Sequence, residues 1–95
     1  MEQRPLGGSG LTVPVIGMGT WQTFHVRDPA AVRPVTDAAI AGGATFFDSS
    51  PMYGRAEQVL AETLDGRRPR VLIATKVWAG SVREGREQIR RALHW

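Results

Sequence analysis

Three short, mostly apolar stretches punctuate the chain, and each is followed by a segment whose apolar residues return every three to four positions. Val15-Ile16-Gly17-Met18-Gly19, Ala44-Thr45-Phe46-Phe47 and Arg70-Val71-Leu72-Ile73-Ala74-Thr75 have the length and composition of buried parallel strands. The first helical segment runs from Asp28 to Ala41, with Val32, Val35, Ala38 and Ala39 on one face. Asp28-Pro29 suits a helix start, but Pro34 would remove a hydrogen bond from a helix begun there. The pattern therefore predicts a distorted first turn or a regular helix from about Arg33, stopped at Gly42-Gly43. Ala56 to Leu64 reads as a second helix with Val59, Leu60 and Leu64 inward, halted at Asp65-Gly66. Ser81 and Glu84 have capping-box spacing and open a third helix, whose inner face is expected at Ile89 and Leu93.

Ahead of these lies a predicted β-hairpin over 3–14, with Gly7-Gly8-Ser9-Gly10 as its turn cluster. The order is thus a hairpin and then strand–helix three times. That alternation implies an α/β fold with parallel strands joined by right-handed crossovers.

Composition narrows the function without choosing it. The 95 residues are 42% hydrophobic and 22% charged, which suits a globular domain with a core. No apolar run is long enough to span a bilayer. The opening residues lack a secretory apolar segment. With no cysteine, thiolate metal sites and disulfides are excluded, and a cytoplasmic location is expected. No metal site is expected either. The net charge of +3 and a pI near 10.6 raise nucleic acid as a partner. Four of the arginines, Arg83, Arg86, Arg90 and Arg91, share the third helix and read as a solvated face, with no nucleic-acid-binding motif beside them.

Chemistry-bearing residues follow every predicted strand: Thr20 and Trp21 the first, Asp48 and Tyr53 the second, Lys76 and Trp78 the third. Ligands of parallel α/β proteins bind at these carboxyl ends. Each residue alone has a plainer reading. Asp48 could form a turn, Tyr53 could be a half-buried ring, and Lys76 could face solvent. Lys76 is nevertheless the sole lysine of an arginine-rich chain. Together the three make a coherent proton donor. An ammonium beside a phenol favours loss of the phenolic proton, and a carboxylate keeps that ammonium charged and oriented. Gly17-Met18-Gly19 is a weak match to a dinucleotide-binding turn, because the third glycine position is Gln22. His25 and His94 have no metal-ligand partners in the sequence and are assigned no function.

These segments resemble the aldo-keto reductases. The resemblance rests on Leu6-Gly7 through Gly10-Leu11, Ile16-Gly17-Met18-Gly19-Thr20-Trp21, Phe47-Asp48-Ser49-Ser50-Pro51-Met52-Tyr53-Gly54 with Glu57, and Ala74-Thr75-Lys76-Val77. It implies a (β/α)8 TIM barrel whose bottom is closed by the hairpin. It also implies NADPH-dependent reduction of aldehydes or ketones, without a Rossmann fold. Tyr53 would be the general acid, Lys76 the residue that tunes it, and Asp48 the partner of Lys76 near the nicotinamide ribose. Gly19, Thr20 and Trp21 would line the nicotinamide and carbonyl pocket, and Trp78 would be a wall for a small carbonyl substrate. Three of the eight units fall within residues 1–95, which are expected to be a partial barrel domain broken off in the third helix. The family's catalytic histidine and its adenosine-phosphate contacts would follow Trp95. Residues 1–95 alone are accordingly expected to fold poorly and to be inactive. The alternatives are a non-catalytic, cofactor-binding regulatory barrel, as in potassium-channel β subunits, and a functionless fragment.

Overall fold

Two layers result from burying one face of each of the first two helices against one face of a short parallel sheet, while the third helix is held to its own preceding loop. The computed structural model describes residues 1–95 throughout. Strands β1 (Gln3–Pro5) and β2 (Thr12–Pro14) form the antiparallel hairpin, with Arg4 opposite Val13. Strands β3 (Met18–Gly19), β4 (Phe46–Asp48) and β5 (Leu72–Ala74) make a parallel sheet in that order. Helices α1 (Arg33–Ala41), α2 (Ala56–Thr63) and α3 (Val82–His94) follow the three strands in turn. The alternation read from the sequence is present in full.

Register sorts the sheet's residues into two faces. Met18 pairs with Phe47 and Phe47 with Ile73, while Gly19 pairs with Asp48 and Asp48 with Ala74. The first row faces the helices. Phe47 is fully buried in a cluster with Phe24, Val32, Ile40, Ala56, Val59, Leu60, Leu64 and Val71, and Met18 and Ile73 pack against it. Successive strand residues point to opposite faces, so the row of Gly19, Asp48 and Ala74 lies on the side away from the helices. The hairpin occupies the opposite end of the sheet from that row. Met1 lies against Gly43 just ahead of β4, where an added Cβ would stand 2.8 Å from the Met1 Cβ.

The α2 face is as expected, with Val59, Leu60 and Leu64 buried. The α1 face is not. Val32, Thr36 and Ile40 are buried and Ala38 is exposed. The Thr36 hydroxyl donates to that of Thr63 at 2.9 Å, and Thr63 donates to the Leu60 carbonyl at 2.8 Å. A polar residue therefore sits in the core with its bonding satisfied. The first turn is distorted: Pro29–Ala31 is a 3-10 turn capped by Asp28, and the regular helix begins at Arg33. Helix α1 closes with Gly43 donating to Ile40 and Ala44 to Ala39.

Two other expectations need correction. Strand β3 is only Met18–Gly19, and Val15 and Ile16 are exposed. The Val15 N–H instead donates to Glu2 of the hairpin, at 3.0 Å. Ile89 and Leu93 of α3 also face solvent, Leu93 at 82%. Gln88 accepts the Trp78 N–H at 2.8 Å and donates to the Trp78 carbonyl at 2.7 Å. Gly85, the one buried residue of α3, lies against Val77. These contacts hold α3 to its own preceding loop by the Gly85–Gln88 edge, and within residues 1–95 nothing covers Ile89 and Leu93. The Ser81 cap is present, accepting from the Glu84 N–H at 3.1 Å, although the Glu84 carboxylate accepts from Gly80 and not from Ser81. Arg83, Arg86, Arg90 and Arg91 are exposed.

Candidate active site

The loops leaving the three parallel strands converge because the strands end in one register row. Just beyond Gly19, the buried Thr20 donates its N–H to the Asp48 carbonyl at 3.1 Å. Its hydroxyl donates to the same carbonyl and is bonded to the Ser49 hydroxyl, both at 2.9 Å. Thr20 thus ties the exit of β3 to the exit of β4, and its hydroxyl is fully engaged in doing so. Beyond β5, the Thr75 hydroxyl donates to Glu57 of α2 at 2.8 Å, which steadies the turn that presents Lys76.

Lys76 reaches back across β5 to β4. Its ammonium donates to both oxygens of Asp48 at 2.9 Å and to the Ser49 carbonyl at 2.7 Å. The same nitrogen stands 4.9 Å from the centre of the Tyr53 ring. Burial draws the Lys76 pKa down, but the bond to Asp48, the Tyr53 hydroxyl and the charges of both outweigh it, and the net shift is upward. Lys76 is therefore a cation throughout the neutral range.

That upward shift carries a stability prediction. A lysine whose pKa is higher in the folded state stabilises the fold fully below its unfolded value and loses this stabilisation as pH rises through the folded value. The Asp48–Lys76 contribution is expected to persist through neutral pH and to disappear above the ordinary lysine value of 10.5. Both side chains are partly exposed, so the effect is modest. Thermal melts across that range, compared with Lys76→Met, check it: the variant should lack this part of the alkaline loss.

Tyr53 is presented by a tight turn. Ser50 accepts the Tyr53 N–H on its carbonyl and the Met52 N–H on its hydroxyl, both at 3.1 Å. The Tyr53 ring lies 6.5 Å from that of Trp21, tilted by 42°. Trp21 is 64% exposed and forms an open wall beside the phenol. Tyr53 has no ring contact with Trp78, which stands exposed on the loop tied to Gln88. Asp48, Tyr53, Lys76 and Trp21 are therefore brought together, with Gly19 in the same register row as Asp48. Thr20 is behind them and Trp78 is apart. His25, assigned nothing from the sequence, touches the Tyr53 turn: its Nδ1 accepts the Arg55 N–H at 2.9 Å. Its only local signal is a polar residue close after a strand that carries site residues. No cluster of three or more His, Cys, Asp or Glu side chains is arranged to hold a metal ion.

A cationic lysine is thus held by a carboxylate beside a tyrosine at the carboxyl ends of parallel strands, the end at which ligands of parallel α/β folds bind. The chain belongs to the aldo/keto reductase family, whose pattern matches residues 15–94. It is 38% identical over 81 residues to the pyridoxal 4-dehydrogenase of Microbacterium luteolum, covering 80% of this chain and 24% of that protein. It is 33% identical over 87 residues to a probable voltage-gated potassium channel subunit beta of Arabidopsis thaliana, covering 84% and 26% respectively. The chain thus spans about a quarter of the length of these relatives. Among solved structures, an aldo-keto reductase of Klebsiella pneumoniae in complex with NADPH superposes with a TM-score of 0.75 at 27% identity, over 87% of this chain and 31% of that one. The hairpin and the three strand–helix units correspond to part of the barrel of such reductases.

Proposed function

We propose that these residues form the proton-donating half of an NADPH-dependent carbonyl reductase acting on small aldehydes or ketones. The observation that carries this reading is the ammonium of Lys76, bonded to Asp48 and Ser49 and lying 4.9 Å from the Tyr53 ring centre. In the reaction a carbonyl carbon gains a hydride and its oxygen gains a proton, giving an alcohol. Tyr53 supplies the proton. Lys76 offsets the negative charge left on the phenolic oxygen, and Asp48 with the Ser49 carbonyl holds Lys76 in place for that task.

The residues present fit a nicotinamide cofactor. Asp48 keeps about half of its side chain exposed, and a carboxylate there can accept from a ribose hydroxyl. Open space lies over Gly19, where an added Cβ would meet no atom within 4 Å. Exposed Trp21 offers a flat apolar wall to a planar ring or to the carbonyl substrate, and Trp78 would line the substrate side farther out. Bound there, the reduced nicotinamide supplies the hydride. Support for NADPH comes from the Klebsiella complex. No helix is long and apolar enough to cross a membrane, and we assign the enzyme to the cytoplasm.

The likeness to a potassium-channel β subunit favours a second reading, a barrel that binds the cofactor and regulates a partner. Loss of nicotinamide absorbance with a simple aldehyde, assayed on a complete barrel carrying these residues, separates the two. Turnover supports the reductase; cofactor binding with no turnover supports the regulator.

Residues 1–95 by themselves are expected to self-associate and to lack turnover. Strands β3 and β5 each leave one edge unpaired, and Val82, Ile89 and Leu93 are exposed along α3. Size-exclusion chromatography and a thermal melt check this, and a monomer with a sharp melt would contradict it.

A further inference from the structure

We infer that His25 is a positioning residue for Tyr53: its imidazole caps the amino end of α2 from the neighbouring loop and so sets where the Tyr53 hydroxyl stands. The catalytic part of this inference rests on the reductase reading; the clamp itself does not.

Helix α2 has no side-chain cap of its own, because its cap residue is Arg55, which carries no acceptor. The N–H of a cap residue needs a partner from elsewhere in the fold. His25 provides it, its Nδ1 accepting from Arg55 at 2.9 Å. That bond requires a neutral imidazole with its proton on Nε2. The ring also determines the residue beside Tyr53. Gly54 has a φ of +59°, and a Cβ there would lie 2.2 Å from the His25 Nδ1. Gly54 is therefore shaped around the imidazole. Arg55 completes a reciprocal link, its Nε donating to the Val26 carbonyl at 3.1 Å. Phe24, fully buried beside His25, anchors the loop that delivers the ring.

Tyr53 sits inside this clamp. Its N–H is bonded to Ser50 and its carbonyl accepts from Ala56, the first residue of α2. Releasing Arg55 would free the Tyr53-Gly54 link at one end. The 6.5 Å approach to Trp21 and the 4.9 Å approach of Lys76 both depend on that link. A displacement of about 1 Å in a proton donor costs on the order of a hundredfold in rate.

Nitrogen NMR of the unmodified protein tests the clamp without any substitution. His25 is expected as the Nε2–H tautomer; the Nδ1–H tautomer would overturn the inference. His25→Phe keeps a ring and removes the acceptor, whereas His25→Asn restores an acceptor oxygen. Exchange of the Arg55 amide proton should quicken by roughly tenfold in His25→Phe and return toward the original rate in His25→Asn. Unchanged exchange in His25→Phe would overturn the clamp. In a complete barrel carrying these residues, with an aldehyde substrate, His25→Phe should lower kcat by about tenfold or more with KM within about twofold, and His25→Asn should recover it. Faster Arg55 exchange with an unaltered kcat would overturn the link to Tyr53. If a complete barrel carrying these residues reduces no aldehyde, the reductase reading fails, while the tautomer and the Arg55 exchange still decide the clamp.

Discussion

Tyr53→Phe is expected to reduce carbonyl turnover by two to four orders of magnitude, the range on the order of what a positioned proton donor contributes. The substitution removes one oxygen and leaves the ring, so the contact with Trp21 at 6.5 Å and the Ser50 turn should remain. Cofactor affinity should therefore change little, because Gly19, Trp21 and Asp48 are untouched. The loss should appear in kcat and kcat/KM together, the pattern of an interaction made only in the transition state. The measurement is steady-state reduction of a simple aldehyde by a complete barrel carrying these residues, alongside cofactor titration by Trp fluorescence. Retained turnover would remove Tyr53 from its assigned role. Lys76→Met serves as the companion variant. It should also depress turnover, and it should alter the pH profile, because the charge beside the phenol is gone. Tyr53 is the only tyrosine of residues 1–95, so in that segment tyrosinate absorbance follows this one hydroxyl directly and needs no turnover.

Gly17→Ala, at the entry to β3, is expected to destabilise the fold more than Gly19→Ala within that strand. A Cβ at Gly17 would stand 2.6 Å from the Phe46 carbonyl oxygen, a backbone atom fixed by its place in β4. Neither partner is a flexible side chain that could move aside, so β3 must shift away from β4. Overpacking of this kind costs about 1–3 kcal/mol, a large share of the 5–15 kcal/mol or so that holds an ordinary domain together. The shift would also separate Thr20 from the Asp48 carbonyl, breaking the link between the first two loops of the site. Gly19→Ala, two residues on, provides the contrast. No atom lies within 4 Å of its added Cβ, so its denaturation midpoint should barely change, while the space assigned to the cofactor would be narrowed. Denaturant melts of the two variants check the pair, and equal midpoints would contradict the assignment of Gly17 as the tight contact.

Much of this architecture was legible in local pattern. The order of hairpin and three strand–helix units follows from the alternation of short apolar runs with helical periodicity, which depends only on near neighbours in the chain. The α2 face was readable because Val59, Leu60 and Leu64 are plainly apolar and all buried. The Ser81 cap was readable for a similar reason, since its partner Glu84 is three residues away. Parallel strands place their exit loops at one end, so the clustering of Asp48, Tyr53 and Lys76 could also be anticipated. The family resemblance assigned their roles.

Other features depended on partners distant in sequence, and only the tertiary structure could supply them. Thr36 is buried because the Thr63 hydroxyl meets it across two helices, and a search for apolar periodicity passes over such a residue. Ile89 and Leu93 carry the pattern of an inner face yet are uncovered within residues 1–95, while Gln88 binds α3 to the Trp78 backbone. Lys76 finds Asp48 and Ser49 through the register of β4 with β5, which no spacing along the chain specifies. His25 gains its role from Arg55, on another loop. The sequence by itself therefore determined the elements, their order and the end of the sheet at which chemistry gathers, because these follow from interactions between near neighbours. The tertiary structure decided which polar groups are partnered and which apolar faces are covered, because both depend on residues that meet only when the strands align.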